Sequence, residues 1–442
     1  MAFGAARRAA WRSAPAGPSR GGVWGFAASR VWRLCLVVCV AVWLVAGVVA
    51  AAQAASDSTF RTPFDARIDA LGEHVLLTLP PQDLVDSGRQ KAARAIADLR
   101  HGVFFAWAGA QIWAFAWLWQ SGRGAQLRDW LRRLLRSRWA YRAAFGAVLG
   151  ALAPLAGLPL AFVSYRIGFN VGLTEEVIGN WLLDYARGML ADAAFAAAAV
   201  ALVLELVDRT RLWYLFFLTI LFAVSIEIVA VAPVLFAPLS TRYVRLQVAA
   251  AAPVEIANSS VRSQTVAAWT AGIGRFTRII LSDVLVSVAT RPEIAYVVAH
   301  ENAHVEHNDD LKKALIAITM FVFAVAFAVL ISDRITFRRD DDAVSRLALV
   351  AACLGGVALL MFPLFNAYAR GIEYRADEDS RKLLGDEAPA VRYLVRSADH
   401  NLIPLCNRRS TSWYFADYPA LGSRIAAMRR TEDPCPHSPA TR

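Results

Sequence analysis

Residues 297–310 read VVAHENAHVEHNDD, two histidines four positions apart around a glutamate, directly behind an apolar run. On a helix, His300 and His304 at i and i+4 project from one face, where both imidazoles can reach one tetrahedral metal. Glu301, beside the first of them, is placed to act as general base on a water at such a metal. With 7 histidines in 442 residues, random placement yields this pattern in about one chain in 300. A helix is expected here because Arg291-Pro292-Glu293 carries the proline and the acid of a first turn.

A further ligand is available in GIEYRADED, residues 371–379, where Glu373 and Asp377 stand one helical turn apart. Glu373 completes a set of two histidines and one glutamate, which leaves the fourth position of a catalytic zinc to water. Asp377, on the same face, can accept the second ring N–H of His300 and set its tautomer. The competing reading is a solvated acidic helix end, since Glu378 and Asp379 adjoin it. His307, Asn308 and Asp309 are expected to be the solvated end of the motif helix, because a third histidine ligand in such motifs follows a glycine turn that is missing here.

The surroundings are those of a membrane protein. The chain is 57% hydrophobic with a mean hydropathy of +0.41, and seven stretches are apolar enough to be read as spans. They are Val31 to Ala52, Val103 to Trp119, Ala143 to Val163, Ala193 to Val207, Leu212 to Leu235, Ala314 to Ile331 and Leu347 to Phe365. The fourth is short and mostly alanine. A net charge of +11 invites a nucleic-acid reading, but the arginines flank apolar spans and interleave with no aromatic groove, so no nucleic-acid partner is expected. The lipid bilayer is the expected surrounding.

Residues 1–56 hold six arginines and no acid, which keeps the N-terminus in the cytoplasm. Alternation then makes 122–142, 208–211 and 332–346 cytoplasmic, and with the N-terminus they carry 19 Lys and Arg. The opposite connections, 53–102 and 164–190, carry 8. The count places the motif helix on the exported side, in the periplasm of a bacterial inner-membrane protein. The first span ends in AAQAAS, so it is either an uncleaved anchor or a signal peptide, and both would export the connection after it.

The chain divides into a disordered basic tail over 1–30, spans 1–5 with their connections over 31–238, a metalloprotease core over 239–313, spans 6–7 over 314–366, and a C-terminal part over 367–442 bearing Glu373. Within 56–101 an ordered loop with a helix from Arg89 to Leu99 is expected. β-branched residues clustered around Gly272 and Gly274 predict strands and turns in the core. Cys406 and Cys435 either pair, in an oxidising space, or remain free thiols.

This arrangement, an HExxH helix between the fifth and sixth spans and Glu-x-x-x-Asp after the seventh, resembles the type I CAAX prenyl protease family of integral-membrane zinc metalloproteases, whose HtpX-type relatives share the catalytic core. GFNVGLTEEVIGNWLLD from Gly168, RSQTVAAWTAGIGRFTRIILSDVLV from Arg262 and DYPALGSRI from Asp417 carry the likeness onward. The resemblance implies a mainly α, seven-span helical fold enclosing a chamber, with a small mixed α/β zinc-metalloprotease domain. It implies one Zn2+ per chain held by His300, His304 and Glu373, with Glu301 activating water. A peptide would add as a strand beside Ala267, Ala268 and Trp269. Arg424 matches the family's arginine and would brace the site or the oxyanion. Two positions depart from the family: Ala267 stands where it has Asn, and Tyr418 where it has His. The Tyr418 hydroxyl can still donate to an oxyanion.

The expected function is a zinc-dependent membrane endopeptidase acting on membrane-associated or lipid-modified polypeptides, or on damaged membrane proteins in quality control. The rival is a multi-span transport or scaffold protein with a structural or inactive zinc site, for which Glu227, an ionisable group inside an apolar run, is the best feature.

Overall fold

The computed structural model describes residues 62–235, 241–335 and 342–435. The basic tail and the first span lie outside the described residues, as does the side chain of Glu227.

Five helices are long and apolar enough to cross a membrane: α4 (Ser87–Gln120), α6 (Arg138–Asn170), α7 (Ile178–Arg209), α11 (Asp309–Ile335) and α12 (Ala343–Leu384). Each contains one expected span, and α8 (Trp213–Leu235) covers the expected fifth. The helix expected from Arg89 is not a separate element. It is the first part of α4, started by Asp86, whose side chain accepts the Arg89 N–H at 2.7 Å.

The alanine-rich fourth span is half of the 32-residue α7, and its composition has a packing reason. A Cβ on Gly146 would stand 2.4 Å from the Ala196 carbonyl oxygen, and one on Gly150 2.5 Å from that of Asp192. Small residues on both helices let α6 and α7 touch backbone to backbone, which in a bilayer replaces the missing hydrophobic drive between helices. At the arginine-rich end, α5 (Arg123–Leu134) joins α4 to α6, and Leu118, Leu131, Phe145, Leu204 and Ala348 close a core there.

At the other end lies an α/β unit. Strands β1 (Tyr243–Leu246), β2 (Val254–Ala257), β3 (Ala268–Ala271) and β4 (Arg278–Ser282) form one sheet in the order β1-β2-β4-β3. The β2–β4 pair is parallel, and the two flanking pairs are antiparallel. Between β3 and β4 the chain turns at Gly272 (φ 90°), where a Cβ would collide with the Phe276 carbonyl at 2.3 Å. Helices α9 (Asp283–Val288) and α10 (Arg291–Glu306) follow, the second being the motif helix. After α12 come α13 (Ala388–His400), α14 (Arg409–Phe415) and α15 (Leu421–Arg429).

Three short helices before α4 belong to this unit: α1 (Pro63–Asp69), α2 (Glu73–Thr78) and α3 (Pro81–Leu84). Ile68, Leu76 and Leu84 are fully buried in one core with Leu281, Leu285, Leu394 and Ile425. An ionic junction ties them to the motif helix. Arg396 of α13 is wholly buried and pairs with Glu293 at 2.9 Å, Asp65 at 2.6 Å and Asp69 at 2.5 Å. Glu293 also accepts the Thr290 N–H at 2.7 Å, at the start of α10. Cys406 and Cys435 are joined by a disulfide that staples the segment before α14 to the residues after α15.

Two stability measurements test this junction. Arg396→Met leaves buried carboxylates without their cation and is expected to cost about 3–5 kcal/mol of stability, read as a lower unfolding midpoint of the protein in micelles. Neighbouring Asp399 is buried, and burial raises its pKa to about 6 although the Arg89 guanidinium stands 2.8 Å away. An acid whose folded pKa is raised contributes stability when protonated, and that contribution is lost as pH rises from the unfolded value through the folded one. The midpoint difference between wild type and Asp399→Asn should therefore change between about pH 4 and 6; a difference constant across that window contradicts the assignment.

Candidate metal centre

The helices α10 and α12 cross so that three side chains of opposite origin converge. His300 Nε2 lies 3.2 Å from Glu373 Oε2 and 3.2 Å from His304 Nε2, and His304 Nε2 lies 3.5 Å from Glu373 Oε1. One donor atom from each lies within 4.8 Å of the others, and all three residues are buried. Among the described residues this is the one group of three or more such side chains that could hold a metal ion.

The far side of each imidazole is also held. His300 Nδ1 stands 3.0 Å from Asp377 Oδ1, and His304 Nδ1 stands 3.0 Å from Asp309 Oδ2. A carboxylate there keeps the proton on Nδ1 and leaves the Nε2 lone pair facing the cluster. Two Nε2 atoms and a carboxylate oxygen are the donor set of an open, tetrahedral zinc site, so the residues fit such an ion. Burial alone would lower the His300 pKa, yet the Asp377 and Glu373 carboxylates raise it to about 10. Without an ion those carboxylates favour a second proton on the His300 ring, which a metal bound at Nε2 would replace.

Asp377 is itself fixed. It accepts the Tyr296 hydroxyl at 2.9 Å and both ends of the Arg424 guanidinium at 2.7 and 2.6 Å. Arg424 is buried with its donors directed at Asp377, so it meets His300 through that carboxylate. Glu301 is 6% exposed, next to the two clustered histidines, and burial raises its pKa although His300 and His304 oppose the shift.

Tyr418 is half exposed, and burial of its hydroxyl together with the nearby charges of Glu373, Asp417 and Glu301 pushes that hydroxyl above its ordinary pKa. The phenol therefore stays protonated through neutral pH. The chain before Tyr418 is fastened to α12: Arg370 donates to the carbonyls of Ser412 and Ala416, and Asn366 donates to that of Tyr414 at 2.8 Å. Arg424 fastens the chain after it to the same helix through Asp377. Ala267 exchanges hydrogen bonds with Ser282, its N–H on Oγ at 3.1 Å and its carbonyl taking the Ser282 N–H at 2.9 Å. Ala268 and Trp269 follow in β3, which pairs on one side only among the described residues.

The expected solvated end of the motif helix is corrected at Asp309, which is fully buried. Asn308 adopts a left-handed conformation (φ 54°) and turns the chain from α10 into α11, so Asp309 swings back under His304 and is also paired with Arg375. His307 is partly exposed and pairs with Asp379 at 2.9 Å. Neither Asp309 nor Tyr296 is legible in the sequence as a site residue. Asp309 lies five positions after His304, beyond the reach of a continuous helix face, and only the turn at Asn308 brings it in.

Comparison with known proteins agrees with this geometry. Residues 236–432 match the model of peptidase family M48. The chain is 19% identical over 389 residues to an uncharacterized metalloprotease, YhfN, of Bacillus subtilis (strain 168), covering 81% of this chain and 90% of that one. It is 23% identical to a CAAX prenyl protease 1 homolog of Oryza sativa subsp. japonica, with 64% and 73% covered. To a protease HtpX homolog of Bordetella petrii it is 28% identical over 33% of this chain and 54% of the relative. The crystal structure of S. mikatae Ste24p superposes with a TM-score of 0.62 over 83% of this chain and 95% of that chain, at 18% identity, and so shares the fold. The M48 match spans the sheet, the HExxH helix and the Glu373 helix alike, and together with the CAAX prenyl protease relative and the shared fold it supports a CAAX-protease-like membrane metallopeptidase.

Proposed function

We propose that the chain is a zinc-dependent endopeptidase of a bacterial inner membrane whose site faces the periplasm and cleaves membrane-associated or lipid-modified polypeptides. The observation that carries the chemistry is the convergence of His300 Nε2, His304 Nε2 and Glu373 with Glu301 buried beside them. Zinc held by those three ligands would supply Lewis acidity toward water and the scissile carbonyl. Glu301, buried beside the histidines, accepts the proton of the attacking water and passes it to the leaving amine. Tyr418 donates to the developing oxyanion. Asp377, steadied by Arg424 and Tyr296, and Asp309 orient the two imidazoles. The substrate strand pairs with the free edge of β3 beside Ala267, Ala268 and Trp269.

The rival reading, a transport or scaffold protein with a structural zinc, is disfavoured by the ligand count. Structural zinc sites close with four protein ligands, whereas the group among the described residues has three.

Two features support the periplasmic side. The Cys406–Cys435 disulfide sits at the end of the molecule that carries the site, and disulfides persist in oxidising compartments. The connections at the opposite end, 122–142, 208–211 and 332–346, hold 13 arginines against 6 aspartates, as cytoplasmic connections do. Bacterial relatives of the same family support a bacterial membrane.

Glu301→Gln should retain about one zinc per chain while lowering cleavage of an unfolded reporter by at least about 10³-fold; unchanged cleavage would rule out the proposed base. Asp309→Asn should weaken zinc affinity by roughly 10- to 100-fold in a chelator competition. In intact cells, Cys406 and Cys435 should resist a membrane-impermeant thiol reagent until an external reductant is added. Labelling that occurs only after cell lysis would place the site on the cytoplasmic side.

A further inference from the structure

The helix α5, at the end opposite the metal centre, carries features that the peptidase chemistry does not use. It buries Gly124 and Leu131 inward but leaves Trp130 and Leu134 exposed at 53% and 62%, and Trp139, at the start of α6, exposed at 46%. Exposed indole and leucine groups on a helix joining two spans belong at the boundary between headgroups and acyl chains.

Basic groups interleave with these apolar ones. Arg128 pairs with Asp129 and Asp342, and Arg142 with Glu205 and Asp208. Arg123 lies over the Trp117 ring and Arg132 over that of Tyr141. Arg132, Arg133 and Arg136 are exposed and have no carboxylate partner among the described residues. Over 122–142 the chain has seven arginines and one aspartate.

We propose that α5 and the first turn of α6 lie in the headgroup layer of the leaflet opposite the metal centre and bind anionic phospholipid through Arg132, Arg133 and Arg136, with Trp130, Leu134 and Trp139 set into the acyl boundary. Guanidinium groups pair with phosphate diesters through two parallel N–H donors, which makes Arg the suited residue for this contact. The neighbouring indoles hold the helix at the depth where those phosphates lie. This inference rests on the membrane reading and is independent of the peptidase reading, since none of its residues lies near the metal centre.

The test uses the full chain reconstituted in bilayers of phosphatidylcholine and phosphatidylglycerol in equal amounts, then extracted mildly and assayed for the lipid that stays bound. Wild type should retain phosphatidylglycerol preferentially, less so at high salt. Arg132→Gln/Arg133→Gln/Arg136→Gln should retain it on the order of 100-fold more weakly, and its unfolding midpoint in pure phosphatidylcholine should match wild type. Trp130→Ala should weaken retention of both lipids. Millimolar inorganic phosphate should fail to displace the bound lipid, and displacement by it would mean a free-anion site and overturn the proposal. Equal retention of phosphatidylglycerol by wild type and triple variant, or no preference in wild type, would overturn it as well.

Discussion

The crossing of α10 over α12 is the constraint on which the rest of the site depends. Three buried side chains meet there with no room for misplacement, since a shift of one residue along either helix removes a ligand atom from the 4.8 Å cluster. The crossing is held by charge as much as by packing. Asp377 of α12 faces His300, takes the Tyr296 hydroxyl from α10 itself, and receives both ends of Arg424 from α15. Such buried ionic contacts are costly to form and costly to break singly, so they favour one arrangement over near alternatives.

One long helix serves both the membrane and the chemistry. The N-terminal half of α12 is apolar, and its C-terminal half carries Asn366, Arg370, Glu373 and Asp377 at three- and four-residue intervals. That spacing lines a single face. The face fastens the segment bearing Tyr418 at one level and presents a carboxylate to the histidines at the next. A span that continues into a site sets the site's side chains on one regular element rather than on loops.

The α/β unit is larger than its match to the peptidase family. Residues 63–84, which form α1 to α3 and lie outside the matched residues 236–432, lend Ile68, Leu76 and Leu84 to its core and Asp65 and Asp69 to Arg396. The start of the motif helix shares that junction through Glu293. Placement of the three candidate ligands therefore depends on a segment lying before α4 as well as on the elements after it.

Six of the seven apolar stretches fall within described helices, because the absence of water around a span forces helical hydrogen bonding and an apolar surface, and both are visible in composition. His300, Glu301 and His304 are legible in the sequence for a similar reason, since i and i+4 define one helix face without reference to anything else. The same local logic fails at Asp309. A polar run at a helix end looks solvated, and its burial follows from a turn at Asn308 and a neighbouring helix that no spacing rule reports. The pairing of Cys406 with Cys435 and the direction of Arg424 are equally open in the sequence, for both depend on which distant segments meet. By itself the sequence determined the elements and the chemical types of the clustered side chains, which are short-range consequences of side-chain pattern. Only the tertiary structure decided that Asp309 backs His304 and that Tyr296 and Arg424 hold Asp377, because those contacts span from 5 to 81 residues of chain and are settled by how helices cross.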